Sequence, residues 1–370
     1  MAIRIVDPVT DYLDLMEQLF DFEAIRDLFS SGFMMRYDAM HAVTGPYAHI
    51  ILEDRLGAPR GTVVNGTPSV DFGGQHPDPN PIRAKSLVTL MMSGDAPDFG
   101  AASDGDGDRN MILGRGSYVT PSDSLAILAA NARLAPGYAG GLAGIARSMP
   151  TSAASDRVAE SLGIGSYEVP TGWKFFSNLL DAGLVSICGE ESAGTGSNHV
   201  REKDGLWAVL LWLNIIAKRN LPVADIQIDH WRKFGRNYYS RHDFEEVRHE
   251  KAAELADALA KTLKDLPGQN FAGLTVQTAR MFTYVDPVDG SISSNQGVCI
   301  HFDGGGRAVL RPSGTSADGV TLRLYLETYE ARDGNLLRTP QSALMTIRDA
   351  ACGIFRLEEY LGRTVPAIVT

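Results

Sequence analysis

At 370 residues, with 44% hydrophobic and 21% charged residues, the chain is long enough for two or three globular domains, each with its own core. Its net charge of −11 argues against a nucleic-acid partner, because duplex binding rests on Lys and Arg neutralising phosphates. An anionic small substrate stays open, since it feels the local field rather than the total. Cys188, Cys299 and Cys352 are widely spaced and form no C-x-x-C pair, which points away from a disulfide framework or zinc site and towards a reducing, cytoplasmic setting. The opening MAIRIVDPVTDYLD lacks the apolar run of a signal peptide. The longest apolar segment, Leu206 to Ala217, is too short for a bilayer and reads as a buried helix, so no membrane partner is expected.

In chain order, apolar residues at helical spacing predict a helix over Asp11–Phe29, then a short strand over Phe33–Tyr37 and a helix over Ala42–Leu56 ended by Gly57 and Pro59. A helical turn or two over Ser86–Met92 precedes a strand over Phe99–Ser103 and its neighbour over Met111–Leu113. This alternation indicates α/β architecture for residues 1–119. A second α/β unit, residues 120–234, is expected from helices over Ser122–Arg133, Ala153–Leu162, Lys174–Asp181, Asp204–Arg219 and Pro222–Phe234 and strands over Gly141–Ser148 and Leu184–Cys188. Residues 235–370 read as a smaller α+β domain. A strand over Asn237–Arg241 and a helix over Glu245–Leu263 come first. A hairpin of Val298–Phe302 and Arg307–Arg311 flanks GGG, followed by a strand over Leu322–Thr328 and a closing helix over Thr339–Tyr360. The expected fold class is therefore two consecutive α/β domains with mixed sheets and an α+β C-terminal domain.

Three segments carry chemistry. AASDGDGDRNMILG (Ala101–Gly114) sets Asp104, Asp106 and Asp108 at alternate positions between glycines, with Arg109 behind. Three crowded carboxylates repel one another unless a hard divalent cation such as Mg²⁺ or Ca²⁺ draws them together; the alternative is an acidic surface turn. A calcium loop of the EF-hand type is excluded, because its sixth and twelfth positions hold Arg109 and Arg115 rather than Gly and Glu. EESAGTGSNHVREK (Glu190–Lys203) is polar and Gly-rich between a buried-looking strand and a buried helix. It reads either as a solvated connection or as a loop presenting carboxylate and hydroxyl groups to polyol hydroxyls. Lys203 lies at a helix start, whose positive end disfavours the ammonium form and opens a route to general acid/base work. RPSGTSADG (Arg311–Gly319) follows a strand and joins hydroxyls, backbone N–H groups and guanidinium, with Arg323 beyond. That is the make-up of a phosphate cradle, though not of a P-loop. Thr171-Gly172-Trp173 either borders a pocket or simply starts a helix, and His41, His76 and His199 lack partners at metal-ligand spacing.

With DGDGDR (Asp104–Arg109), PTGWKFF (Pro170–Phe176), GEESAGTGSNHVREKDG (Gly189–Gly205) and RPSGT (Arg311–Thr315) in this order, the chain resembles the phosphoglucomutases of the α-D-phosphohexomutase superfamily almost end to end. DFGGQHPDPN and DPVDGSIS add to the resemblance, while Ala193 and Pro312 stand where phosphoglucomutases usually carry Phe and often carry Leu. The resemblance implies Mg²⁺ bound by Asp104, Asp106 and Asp108, and Arg109 beside the reacting phosphate. It implies Glu190 and Ser192 on sugar hydroxyls, Thr171 and Gly172 lining the same pocket, and Lys203 as a general acid/base. Arg311, Ser313, Gly314, Thr315 and Arg323 would clamp the phosphate that is not transferred. The implied reaction interconverts glucose 1-phosphate and glucose 6-phosphate through glucose 1,6-bisphosphate.

Family members carry a phosphoserine in a T-A-S-H-N-P-type motif of a first domain. These 370 residues contain none; the closest serines, Ser148 and Ser152 in RSMPTSAAS, are not followed by His-Asn. The resemblance is therefore to domains two, three and four. The expected partners are glucose phosphates and the first domain in cis or trans, and the isolated chain is expected to show no turnover, since a mutase stores a phosphoryl on its own nucleophile between half-reactions. The alternatives are a non-catalytic sugar-phosphate-binding protein and a related phosphomannomutase or hexosamine mutase.

Overall fold

The computed structural model describes residues 6–316 and 319–370, and at Thr315 and Ser316 the backbone alone. The chain divides into two compact units, Met1–Glu168 with Gly172–His230 and Val169–Thr171 with Trp231–Thr370.

The first unit holds two sheets among the described residues. One runs Val63–Val64, Met35–Asp38, Phe99–Ser103, Asn110–Gly114 and Ser117–Val119, with the first three strands parallel and the last two antiparallel. The acidic segment therefore turns the chain from the end of a parallel strand into an antiparallel one, the place where open α/β sheets present ligands. The other runs Gly165–Val169, Gly144–Ser148, Ile187–Gly189 and Thr195–Ser197. The last of these strands lies inside the segment expected to be a loop, and Gly165–Val169 is a further strand that its polar composition hid.

The helix Gly205–Arg219 is the axis of this unit. Asp204 caps it by accepting the Trp207 N–H at 2.9 Å, and left-handed Asn220 ends it. Trp207 and Trp212 are fully buried, and the shared core includes Phe20, Phe29, Tyr37, Ile112 and Leu125. Buried Asn214 is satisfied at both ends, accepting the Asp21 N–H at 2.8 Å and donating to the Leu134 carbonyl at 3.1 Å. No helix among the described residues is long and apolar enough to cross a membrane.

Two expected helices are interrupted. Asp11–Phe29 is two helices, Thr10–Leu19 and Phe22–Ser30, because Phe20 is extended and Asp21 starts the second by accepting the Ala24 N–H. Over Ala42–Leu56 only Thr44–Ala48 is α-helical. His49–Arg55 continues as a π-helix, with the Leu56 N–H reaching back five residues to the Ile51 carbonyl.

The second unit carries an antiparallel seven-stranded sheet ordered Asn270–Phe271, Leu274–Met281, Val298–Phe302, Arg307–Ser316, Gly319–Glu330, Arg236–Val247 and Ile368–Val369. Alternation decides its two faces. Leu310, Leu322, Leu324 and Leu326 pack with Leu255 and Leu259 of the helix His249–Thr262 and with Leu344 and Ile347 of the helix Pro340–Ile354. Arg311, Arg323 and Asp243 project from the opposite face. The expected helix over Glu245–Leu263 starts later, at His249, because Arg236–Val247 keeps pairing with Gly319–Glu330 past a bulge at left-handed Glu246. The closing helix breaks at left-handed Arg356.

His242 sits on the helix-covered face beside Arg348, Asp349 and Cys352. Burial and the Arg348 charge push its pKa down to about 4, with Asp243 opposing. A histidine depressed in the fold binds its proton more readily once unfolded, so its stabilisation is present above about pH 6.5 and is lost as pH falls towards 4. Between those limits the loss is at most about 3 kcal/mol. His242→Gln is expected to flatten this part of the acid limb in urea titrations at pH 7 and 4.5; an unchanged pH slope would contradict the assignment.

Candidate functional site

The acidic turn is built around a buried carboxylate. Ligand oxygens of Asp104, Asp106 and Asp108 lie within 4.8 Å of one another, with Asp104 buried, Asp108 half-buried and Asp106 exposed. Left-handed Gly107 lets the chain reverse, its N–H reaching the Asp104 carbonyl at 3.3 Å. Arg109 wraps Asp104, donating its backbone N–H to Oδ1 at 3.0 Å and its Nε to Oδ2 at 2.7 Å, while its Nη1 donates to Asp78 at 3.0 Å. Burial pushes the Asp104 carboxyl up to about 6 against the pull of Arg109. Three hard oxygen donors on one tight turn fit a divalent cation such as Mg²⁺, whose charge would hold all of them ionised.

The Glu190–Lys203 segment meets this turn directly. Arg109 forms an isolated antiparallel bridge with Gly194, and the Asn110 backbone N–H and side-chain Nδ2 both donate to the Ala193 carbonyl at 3.0 Å. The Gly205 N–H donates to the Gly107 carbonyl at 2.9 Å. The segment folds back at Glu190–Gly194, where the Glu190 N–H donates to the Gly194 carbonyl and Ala193 is left-handed. Buried Glu190 accepts the Gly172 N–H at 3.2 Å, and Ser192 is half-buried on the same turn.

Lys203 spans the two segments, its ammonium paired with Asp108 and 3.8 Å from Glu190. Its pKa is raised, which reverses the expectation from the helix start. Burial pulls the ammonium down, but the hydrogen bond and charge of Asp108, then Glu190 and Glu202, outweigh it. The short-range pairing wins because carboxylates in contact act far more strongly than the partial charge of a helix end. Glu190 is raised by burial, with Lys203 and the Gly172 N–H opposing.

Behind the site, Asp204 accepts the Tyr12 hydroxyl at 2.9 Å and meets His199 Nε2 at 3.0 Å, while His199 Nδ1 lies 2.6 Å from Ser197 Oγ. This resembles a Ser-His-Asp string, but Ser197 has no exposed surface and bonds Tyr138 at 2.6 Å, so it serves as a brace for the helix start that carries Lys203.

In the second unit Arg311 stands opposite Arg323 in register, and Arg311 donates to the Tyr325 hydroxyl at 3.3 Å. RPSGT is not a loop after a strand. It is the end of the strand Arg307–Ser316, bulged between Ser313 and Thr315 at left-handed Gly314. The Thr315 side chain lies outside the described residues. Thr171 clusters with this second unit and its neighbour Gly172 with the first. Asp78, the partner of Arg109, went unassigned in the sequence; its only signal there was its place within DFGGQHPDPN.

A phosphoglucomutase of Rhizobium radiobacter is 59% identical over 373 residues, matching all of this chain and 68% of the relative. The chain belongs to the phosphoglucomutase family. Family models described as phosphoglucomutase/phosphomannomutase alpha/beta/alpha domains II and III match residues 10–116 and 121–234, and one described as phosphoglucomutase-1, C-terminal domain, matches residues 236–367. A chloroplastic phosphoglucomutase of Arabidopsis thaliana is 50% identical across the whole chain, which covers 61% of it. The crystal structure of the Paramecium phosphoglucomutase pp63/parafusin, open form, superposes with a TM-score of 0.92 at 47% identity, covering 99% of this chain and 65% of that one. The chain thus spans about two thirds of the length of these phosphoglucomutases.

Proposed function

We propose that this chain supplies the metal-, sugar- and phosphate-binding groups of an α-phosphoglucomutase that interconverts glucose 1-phosphate and glucose 6-phosphate through glucose 1,6-bisphosphate. The observation that carries the reading is Lys203, an ammonium held between Asp108 of the acidic turn and Glu190 of the polar segment. One ammonium thus lies between the proposed chelating group and the proposed hydroxyl-binding group, within reach of both.

Asp104, Asp106 and Asp108 would hold Mg²⁺, which when bound offsets charge on the transferring phosphoryl group. Arg109, anchored by Asp104 and Asp78, presents its guanidinium to the same charge. Glu190 accepts hydrogen bonds from sugar hydroxyls, Ser192 adds a hydroxyl to the same turn, and Thr171 and Gly172 are assigned to the same sugar. Lys203, kept protonated by its two carboxylates, is poised to give its proton to a departing alkoxide and recover it from an attacking hydroxyl. Arg311, Ser313, Gly314, Thr315 and Arg323 clamp the phosphate that stays on the sugar. None of these residues is the nucleophile that stores the phosphoryl.

Arg311→Ala tests the clamp. Calorimetry with the 370-residue chain is expected to show glucose 6-phosphate binding weakened about tenfold or more, the loss that follows a charge-assisted pair to phosphate. Glucose binding is expected to change far less. Equal losses for both ligands would refute the assignment.

A further inference from the structure

The two arginines of the proposed clamp occupy an unfavourable position unless something holds them. Arg311 and Arg323 are direct cross-strand partners on one face of the sheet, and like charges so placed repel. The next strand places Asp243 opposite Arg323 in the same row. Its side chain is 4% exposed, and its carboxylate lies 3.4 Å from Arg323 Nε and 3.0 Å from Arg241 Nε. The C-terminal strand seals the far side, with Ile368 opposite Asp243 and the Ala367 N–H donating to the Asp243 carbonyl.

We infer that Asp243 is a positioning residue for sugar-phosphate recognition: it holds the Arg323 guanidinium in the row beside Arg311 so that both present to one phosphate. The inference rests on the reading of Arg311 and Arg323 as the phosphate clamp. A carboxylate this buried is tolerable only when paired, and its partners are both arginines. The closest approach to Arg323 is through Nε, 3.4 Å from the carboxylate, whereas bidentate contact with phosphate oxygens uses the amino groups of the guanidinium fork. The Arg323 Nε is buried without a hydrogen bond, so Asp243 holds the guanidinium by charge and proximity. Arg311 is steadied separately, through the Tyr325 hydroxyl.

The test is a double-mutant cycle on the 370-residue chain, read by calorimetric titration of glucose 6-phosphate and, in parallel, of inorganic phosphate. Asp243→Asn is nearly isosteric and removes only the charge. It is expected to weaken glucose 6-phosphate about tenfold, to weaken inorganic phosphate in the same direction, and to leave the Mg²⁺ titration unchanged. Arg323→Ala is expected to lose at least as much, and adding Asp243→Asn to it is expected to cost less than a further threefold, because the residue acts through Arg323. Full additivity of the two losses, or an Asp243→Asn chain that binds within twofold of the parent while Arg323→Ala is impaired, would overturn the inference and leave the clamp standing. If neither Arg311→Ala nor Arg323→Ala weakens glucose 6-phosphate, the clamp itself falls and this role falls with it. Should Asp243→Asn fail to fold, Asp243→Glu keeps the counter-charge but moves it by one methylene. A severalfold loss of phosphate affinity with an unshifted melting curve supports the positioning role, and unchanged affinity overturns it.

Discussion

Gly205→Ala is expected to destabilise the first unit by about 2–4 kcal/mol, although alanine favours a helix over glycine by about 1 kcal/mol. Gly205 opens the helix Gly205–Arg219 without a left-handed backbone, so propensity alone calls for a gain. Its surroundings decide otherwise. A Cβ there would lie 2.3 Å from the Arg109 carbonyl oxygen, 2.9 Å from its carbon and 3.0 Å from the Gly107 carbonyl oxygen. Even weak carbon–oxygen contacts sit near 3.3–3.6 Å, so the acidic turn would have to retreat by about an ångström. The atoms struck are backbone, with no rotamer to escape into, and the retreat would strain the Gly205 N–H bond to the Gly107 carbonyl. Urea denaturation of the parent and variant chains reads the stability, and calorimetric Mg²⁺ titration reads the displaced carboxylates. A variant as stable as the parent would show that the helix start and the acidic turn are not in the close contact described.

Asp106→Ala is expected to lower Mg²⁺ affinity at least about tenfold while leaving the metal-free fold as stable as before, or slightly more so. Asp106 is the exposed member of the three carboxylates and makes no hydrogen bond or ion pair among the described residues. Removing it relieves repulsion between close like charges and breaks no structural contact. Asp104 does not offer so clean a test, because its carboxylate is also the anchor for Arg109. Since a cation that binds only the folded chain stabilises it by RT ln(1 + [L]/Kd), the rise in melting temperature on adding Mg²⁺ should shrink in the variant. Unchanged calorimetric and thermal responses would reduce the segment to an acidic surface turn.

The charge state of Lys203 is set by distant carboxylates rather than by its sequence neighbours. Its place before a helix predicted a weakened ammonium, yet Asp108 and Glu190, 95 and 13 positions earlier in the chain, reverse the sign. Asp78 was equally hidden: nothing in its neighbours indicates that Arg109 will lie against it. The strand Thr195–Ser197 was masked by glycine and polar residues, because its pairing with Ile187–Gly189 comes from backbone geometry rather than from side-chain alternation.

What the amino-acid order determined was local. The DGDGDR turn, the apolar Gly205–Arg219 helix, the Val298–Phe302 and Arg307–Arg311 hairpin and the class of fold follow from periodicity, glycine placement and charge crowding, which act over a few residues. Tertiary structure alone decided which carboxylate pairs with Lys203, that Gly205 has no room for a methyl group, and that Asp243 falls in one row with Arg311 and Arg323. Those facts depend on strand register and on distances between segments far apart in the chain, and contact energies at 3 Å have no counterpart in local propensity.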